Sequence, residues 1–318
     1  MSHHHAPARS HDLVALAADG RRPTPQAPHY RVPELLRAVE VLNLLEITGS
    51  QRITSQTLGL HQSSVSRILQ GLRQQLQLVP GSCERLRYGD APSLWHLRQA
   101  VRAHRIHGGW LQLVADPLHH SLLRPGPGLL PGPAAWLGLE RLAGLVHHAV
   151  LDGALVSSLA WAPAATPAAD PALGPPLGGD GVRWFELVEL PLWLVAPVPT
   201  ARGVLVPPAR LAPGLHGELG FRGLAAQVWG TSGQTARAWL RRARSQGLAL
   251  PLCLALLPPG WLARQGSCLL PDQDPLPQRL WLLQGADLPS DVRDRCLRLL
   301  RRRCAAFAGR YPGLSPGS

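Results

Sequence analysis

The chain has 318 residues, with 32 basic and 20 acidic side chains and a net charge of +12, so its length suits two or three domains and its charge favours an anionic partner. Every basic residue is Arg, which a GC-rich coding bias produces without any functional cause. The five cysteines form no CxxC pair, which argues against a disulfide framework and a zinc site and fits a reducing cytosol. No cofactor or metal is predicted.

The first 29 residues are rich in His, Pro, Ala and Arg and are predicted to form a disordered tail. A helix is predicted from Glu34 to Ile47, because apolar residues recur there at intervals of three or four. Its apolar face comprises Leu35, Leu36, Val39, Leu42 and Leu45. No apolar stretch resembles a signal peptide or is long enough to cross a bilayer, so we expect a soluble cytoplasmic protein without a membrane partner.

The segment from Arg52 to Leu78 has the pattern of a helix-turn-helix. A short first helix ends at Gly59, a residue that tolerates a positive φ. A second helix begins at Gln62 and places Val65, Ile68, Leu69, Leu72 and Leu76 on one face. The opposite face is polar or basic, and no acidic residue occurs between Gln62 and Leu78. A structural helix pair inside an all-α domain is the alternative interpretation.

In a helix-turn-helix, the second helix enters the major groove with its N-terminus first. Short hydroxyl and amide side chains can approach base edges, and Arg contacts phosphates and guanine. Residues 82–90 follow a Pro-Gly turn and are predicted to form a small wing, so that residues 30–90 make a winged helix-turn-helix domain. The predicted DNA contacts are Thr54, Ser55, Gln62, Ser63, Ser64, Ser66, Arg67, Gln70, Arg73, Arg85 and Arg87.

Residues 91–107 contain another predicted helix, Leu94 to His107, with Leu94, Leu97 and Val101 on one face. A long amphipathic helix after a winged domain commonly pairs with its counterpart in a second copy. The sequence therefore predicts a linker and dimerisation helix.

From Gly108 onward, the pattern changes to strands alternating with helices, which predicts a parallel α/β sheet. This C-terminal region covers residues 108–312, and residues 313–318 form a tail. Predicted strands lie at 110–114, 154–160, 184–190, 192–198, 203–206, 224–229 and 280–283, with a weaker candidate at 134–139; predicted helices lie at 140–151, 235–246 and 291–307.

The last predicted helix carries six arginines: Arg293, Arg295, Arg298, Arg301, Arg302 and Arg303. Such a run is either a second phosphate-contacting surface or a solvated helix face, and the solvated face is the favoured interpretation. Cys296 and Cys304 lie eight residues apart on one side of the same helix, which indicates burial.

The order of these parts resembles the LysR-type transcriptional regulators. The segment 60–72, LHQSSVSRILQGL, is similar to that family's recognition helix, with Gln62, Val65, Ser66, Arg67 and Leu72 at matching positions and Ser63 and Ser64 in place of Pro and Ala. The resemblance implies a C-terminal domain of two lobes, similar to periplasmic binding proteins, with a small effector in the cleft. It also implies a homodimer or homotetramer. The stretch 246–256 is shorter than the family's usual strand and helix at that place.

Two groups of polar residues are candidates for the effector site because each follows a strand. Asp116, His119 and Ser121 follow the first strand of the C-terminal region, and Thr231, Ser232 and Gly233 precede a helix. Ordinary helix capping is the alternative role for these residues.

The fold class predicted is α+β and multidomain: an N-terminal winged helix-turn-helix, a linker helix and a two-lobed α/β domain. The predicted function is a sequence-specific, DNA-binding transcriptional regulator that binds double-stranded DNA and a small effector. One alternative is a DNA-binding protein whose C-terminal domain only oligomerises. An α/β enzyme is the least favoured, because no arrangement of nucleophile, base and acid is visible.

Overall fold

The computed structural model describes residues 30–81, 86–89, 91–161, 181–230 and 236–308. These residues form a mixed α/β structure. Its N-terminal part contains a 3-10 turn, Glu34–Leu36, and four helices: α1 (Arg37–Thr48), α2 (Gln51–Leu58), α3 (Gln62–Gln75) and α4 (Pro92–His107). Gly49 and Gly59, both with φ of +64°, end α1 and α2 in the left-handed conformation that glycine adopts without strain.

Helices α1, α2 and α3 pack together around apolar residues with helical spacing, as the sequence predicts. Val39, Leu42 and Leu45 of α1 meet Val65 and Leu69 of α3 in one buried cluster. The predicted apolar face is wrong at one position: Leu35 lies in the 3-10 turn before α1, and its side chain is 91% exposed. The turn ends before the α-helical spacing begins, so Leu35 does not follow the periodicity of the helix.

The larger sheet has five strands. Numbered along the chain, they are β1 (Leu111–Val114), β2 (Leu129–Pro131), β3 (Gly153–Ser157), β4 (Val182–Glu189) and β10 (Arg279–Gly285). Their order in the sheet is β2-β1-β3-β10-β4. Strands β1 and β3 are parallel, which confirms the predicted strand-helix-strand unit, whereas β10 is antiparallel to both β3 and β4.

Helices cover both faces of this sheet. On one face, Leu142 and Leu145 of α5 (Leu139–His147) pack with Leu283 of β10. On the other, Cys296 and Leu300 of α9 (Ser290–Ala308) pack with Leu280 and Leu282. The alternating direction of side chains along β10 therefore separates two cores, as expected for a sheet between two helical layers. We call the sheet with α5 and α9 the first lobe.

The second lobe contains two smaller sheets. Strand β5 (Trp193–Ala196) is flanked by β8 (Leu250–Leu252) and β9 (Cys268–Leu269), and β6 (Gly203–Val206) pairs in parallel with β7 (Ala225–Val228). Its helices are α6 (Pro213–Phe221), α7 (Ala236–Ser245) and the short α8 (Trp261–Arg264).

The chain crosses between the lobes twice, and the crossings lie side by side. The amide of Leu190 donates to the carbonyl of Gln278, and Leu192 and Leu276 are bridged by backbone hydrogen bonds. Among the described helices, none is long and apolar enough to cross a membrane.

The structure differs from the sequence prediction in several elements. The strand candidate at 134–139 is wrong: the strand lies earlier, at Leu129–Pro131, and 132–138 carries no regular structure before α5. The elements α6, β8, α8 and β9 were not predicted, because the apolar and Pro-rich stretches that contain them show no strand or helix pattern. Helix α6 begins at a proline and has no distinct apolar face that periodicity could detect.

Candidate nucleic-acid interface

The outer face of α3 is a continuous polar and basic surface, which we call the α3 outer face. It consists of the exposed side chains of Gln62, Ser63, Ser66, Arg67, Gln70 and Arg73, with Ser64 half-buried at its edge. On the opposite side of the helix, Val65, Leu69 and Leu72 are buried against α1. The Arg67 guanidinium donates a long hydrogen bond of 3.4 Å to the carbonyl of Ser63 in its own helix. The face therefore presents free donors to solvent.

Two of the predicted DNA contacts lie inside the helical core, and for these the prediction is wrong. Thr54 is fully buried, and its hydroxyl is hydrogen-bonded to the hydroxyl of Thr48 at 2.8 Å. Ser55 is also buried and donates to the carbonyl of Arg52 at 2.8 Å. Both side chains satisfy their hydrogen-bonding groups within the protein, because this side of α2 faces α1. They are structural residues of the helix pair.

A turn at residues 86–89 lies beside α3, at the position of the predicted wing. Arg87 is exposed, while Leu86 and Tyr88 are buried and anchor the turn. The carbonyl of Arg87 accepts from the amide of Gly81 at 2.8 Å, and the Arg73 guanidinium lies 6.0 Å from the centre of the Tyr88 ring. An open groove runs between α3 and this turn, lined by polar and basic residues that include Ser66, Gln70, Arg73 and Arg87. Arg85 lies outside the described residues.

Glu46 of α1 holds this turn from behind, a role that the sequence analysis missed. Its two carboxylate oxygens accept the backbone amides of Arg87 and Tyr88, each at 3.0 Å. The Arg98 guanidinium is fully buried beside Glu46, 3.7 Å from one carboxylate oxygen, and donates to Asn43 at 3.0 Å and to the carbonyl of Tyr88 at 3.4 Å. Burial lowers the pKa of Arg98 to about 10. The sequence signal for this role was an acidic residue, Glu46, among the buried apolar residues of α1.

Helix α4 uses arginines to join the helices to the first lobe. Arg105 makes two hydrogen bonds of 2.9 Å to Asp152, both side chains being buried. Arg102 binds the more exposed Asp287 at 2.8 and 3.0 Å. Leu94 and Val101 of the same helix are buried among the helices of their own chain. These two residues of the predicted apolar face are thus covered within the chain, whereas Leu97 is half-buried. Dimerisation through residues 91–107 stays a prediction.

A small cavity lies between the two lobes beside their crossings. Asp116 and His119, two of the predicted effector residues, line it together with Ser157, Gln278 and mostly apolar side chains; Ser121 is not part of the lining. The cavity volume is about 30 Å³, room for one or two water molecules rather than for an effector, which needs about 300 Å³ or more. Thr231, Ser232 and Gly233 lie outside the described residues.

The polar side chains of the cavity form a connected chain of hydrogen bonds. His119 is bonded through Nδ1 to Asp116 at 2.7 Å and through Nε2 to Gln278 at 2.9 Å. Gln278 in turn accepts from Ser157 at 2.7 Å and donates to the carbonyl of Leu190, at the lobe crossing, at 2.8 Å. No described nucleophile is hydrogen-bonded directly to a histidine here, because Gln278 separates Ser157 from His119. The network ties the first lobe to the crossings.

The arginines of α9 lie mostly in solvent. Arg295, Arg298, Arg301 and Arg302 are exposed, whereas Arg303 donates to the carbonyls of Leu122 and Arg124. Cys296 and Cys304, on the opposite side of α9, are buried, and burial raises the pKa of each thiol to about 12. Within the described ranges, no group of three or more His, Cys, Asp or Glu residues is placed to hold a metal ion.

No protein-family model and no curated protein matches this chain. Solved structures similar to it include ArgP from Mycobacterium tuberculosis, with a TM-score of 0.45 and 16% identity over 86% of this chain and 97% of that chain. A mutant of OxyR from Corynebacterium glutamicum matches with a TM-score of 0.43 and 13% identity over 90% and 96%. CbnR, a LysR family transcriptional regulator, matches with a TM-score of 0.43 and 11% identity over 84% and 98%.

Proposed function

We propose that this protein is a DNA-binding transcriptional regulator of the LysR type, in which residues 30–90 form a winged helix-turn-helix and residues 108–312 a two-lobed α/β domain. The α3 outer face carries the proposal. It combines exposed hydroxyl, amide and guanidinium groups on one side of a helix whose other side is fixed in a core. A helix presented in this way can enter the major groove and read base edges.

Arg67 and Gln62 are the proposed base-reading residues, near the N-terminus of α3. Arg73 and Arg87 face the groove beside α3 and are proposed to contact phosphates. Phosphate contacts place the protein on the duplex, and base contacts supply the specificity. The residues that remain proposed for the interface are Gln62, Ser63, Ser64, Ser66, Arg67, Gln70, Arg73 and Arg87, together with Arg85, which lies outside the described residues.

Selection of bound fragments from the source genome tests this function, followed by titration of a selected duplex in increasing salt. Each arginine that contacts a phosphate releases counterions, so the affinity should fall steeply with salt for every duplex, whereas the ratio of selected to random duplex should persist. Equal affinity for selected and random duplexes at every salt concentration would exclude sequence-specific binding.

A second candidate is a DNA-binding protein whose C-terminal domain senses no ligand. The volume of the interlobe cavity favours it, since about 30 Å³ admits no organic effector without separation of the lobes. A thermal-shift screen with small metabolites distinguishes the two candidates, because a ligand that binds the native state raises the melting temperature. The same screen is run on Asp116→Asn, because this substitution changes the lining of the cavity at a position remote in sequence from α3.

A further inference from the structure

The turn that carries Arg87 is held by a carboxylate that also contacts the C-terminal region of the same chain. Glu46 accepts the amides of Arg87 and Tyr88 at 3.0 Å through its two oxygens. The guanidinium of Arg141, on α5 of the first lobe, lies 3.5 Å from one of these oxygens and also donates to the backbone carbonyl of Glu46. One carboxylate thus contacts both the first lobe and the proposed DNA-binding turn.

This junction is less exposed to water than a surface ion pair. Glu46 is buried and Arg141 is 27% exposed, so water screens their attraction less than it screens a surface pair. A buried carboxylate needs compensating donors or positive charges, and Glu46 has them from three directions: amides of the turn, the Arg98 guanidinium of α4 at 3.7 Å and the Arg141 guanidinium of α5. Removal of the first-lobe donor leaves the same carboxylate with fewer partners, and its position becomes less restricted.

The place of Arg141 in the first lobe adds to the significance of this contact. Its neighbour Leu142 lines the interlobe cavity and belongs to the apolar core of that lobe, which also includes Leu44 and Ile47 of α1. The same turn of α5 therefore forms part of the cavity wall and supplies the donor to Glu46. The helices that carry the α3 outer face rest directly on this part of the first lobe.

We propose that Arg141 and Glu46 are positioning residues for DNA binding: the first lobe, through Arg141, fixes Glu46, and Glu46 fixes the Arg87 turn in the orientation that faces the duplex. This inference rests on the proposed function. It assigns the C-terminal region a direct structural role in the DNA-binding surface of its own chain.

Amide hydrogen exchange on the full chain tests the positioning role without DNA. In Arg141→Gln, the amides of Arg87 and Tyr88 should exchange about 3- to 10-fold faster, the change expected for one weakened hydrogen-bonding partner. Arg279→Gln is the matched control, because Arg279 is 28% exposed and pairs with Glu186 on β4, away from Glu46. Arg141→Lys, which keeps a cationic donor, should restore part of the protection. Glu46→Gln should accelerate exchange at the same two amides at least as much.

Unchanged exchange at Arg87 and Tyr88 in Arg141→Gln would overturn the proposal. Equal acceleration throughout α1, α2 and α3 would overturn it as well, since that result indicates a general loss of stability. With a selected duplex, Arg141→Gln should bind about 3- to 10-fold more weakly than Arg279→Gln. If the wild-type chain binds no DNA, the proposed function fails, while the exchange data still decide whether Arg141 positions the turn.

Discussion

Helices α3 and α4 both carry arginines, and their surroundings give these arginines opposite roles. Arg67 and Arg73 of α3 are exposed and have no acidic partner among the described residues. Arg98, Arg102 and Arg105 of α4 are buried, and each lies within 4 Å of a carboxylate of the same chain. The arginines of α3 are therefore available to a partner, whereas those of α4 are paired with carboxylates inside the folded chain.

This comparison shows why net charge is a poor guide to a binding surface. A buried guanidinium needs a carboxylate to offset the loss of water, so α4 arginines and their acids neutralise each other. An exposed guanidinium retains its charge and its donors for a phosphate or a base. The part of the +12 net charge that can attract DNA is that of exposed arginines such as those on α3 and in the 86–89 turn.

The largest effect is expected for Arg105→Ala in α4. This substitution removes the bidentate partner of the buried Asp152 and leaves it the Arg102 guanidinium at 3.6 Å and the amide of Gln112. The free energy of unfolding should fall by about 3 kcal/mol, the lower end for breaking a buried ion pair. Urea denaturation followed by circular dichroism measures the change, with Arg295→Ala on the solvent side of α9 as the control that should stay within about 0.5 kcal/mol. An unaltered denaturation midpoint in Arg105→Ala would show that the α4 arginines are not structural and do not differ in this respect from those of α3.

The next effect concerns binding and not stability. Arg67→Ala should weaken binding to a selected duplex by about 1–3 kcal/mol if Arg67 reads a base, while the denaturation midpoint stays at its wild-type value. Fluorescence anisotropy at fixed salt gives the affinity. Wild-type affinity in this variant would show that Arg67 is a solvated residue and not a base contact.

Thr54→Val separates the two interpretations of α2. The substitution removes a buried hydroxyl bonded to Thr48, so we expect a loss of about 1 kcal/mol in stability. Affinity for a selected duplex, measured where the variant is fully folded, should not change, because Thr54 is inaccessible. A loss of affinity without a loss of stability would restore Thr54 to the DNA-contacting residues.

The smallest effect is expected for Asp287, the most exposed of the acids that pair with the α4 arginines. Asp287→Asn should cost less than about 1 kcal/mol, because the Asp287 side chain is 52% exposed and its pair with Arg102 is screened by water. Chemical denaturation at low and high salt measures it, and the small difference should shrink further at high salt. A cost as large as that of Arg105→Ala would mean that burial does not rank these pairs.

Local sequence determined the helices that form the proposed DNA-binding unit. The spacing of Val65, Leu69 and Leu72 fixed the buried side of α3, and the polar residues between them consequently face solvent. Glycines that adopt a positive φ fixed the ends of α1 and α2. The parallel relation of β1 and β3 likewise followed from the order of strand, helix and strand. These features depend on neighbours within a few residues or on one short connection.

Only the tertiary structure decided which polar residues are buried or paired within the chain. Arg105 and Asp152 are 47 positions apart, Arg102 and Asp287 are 185 apart, and Arg141 and Glu46 are 95 apart. Periodicity reports which side of a helix is apolar, but it does not report what packs against the polar side. The burial of Thr54, the pairing of the α4 arginines and the small volume of the interlobe cavity are therefore set by contacts between distant segments, whose energies depend on the folded arrangement.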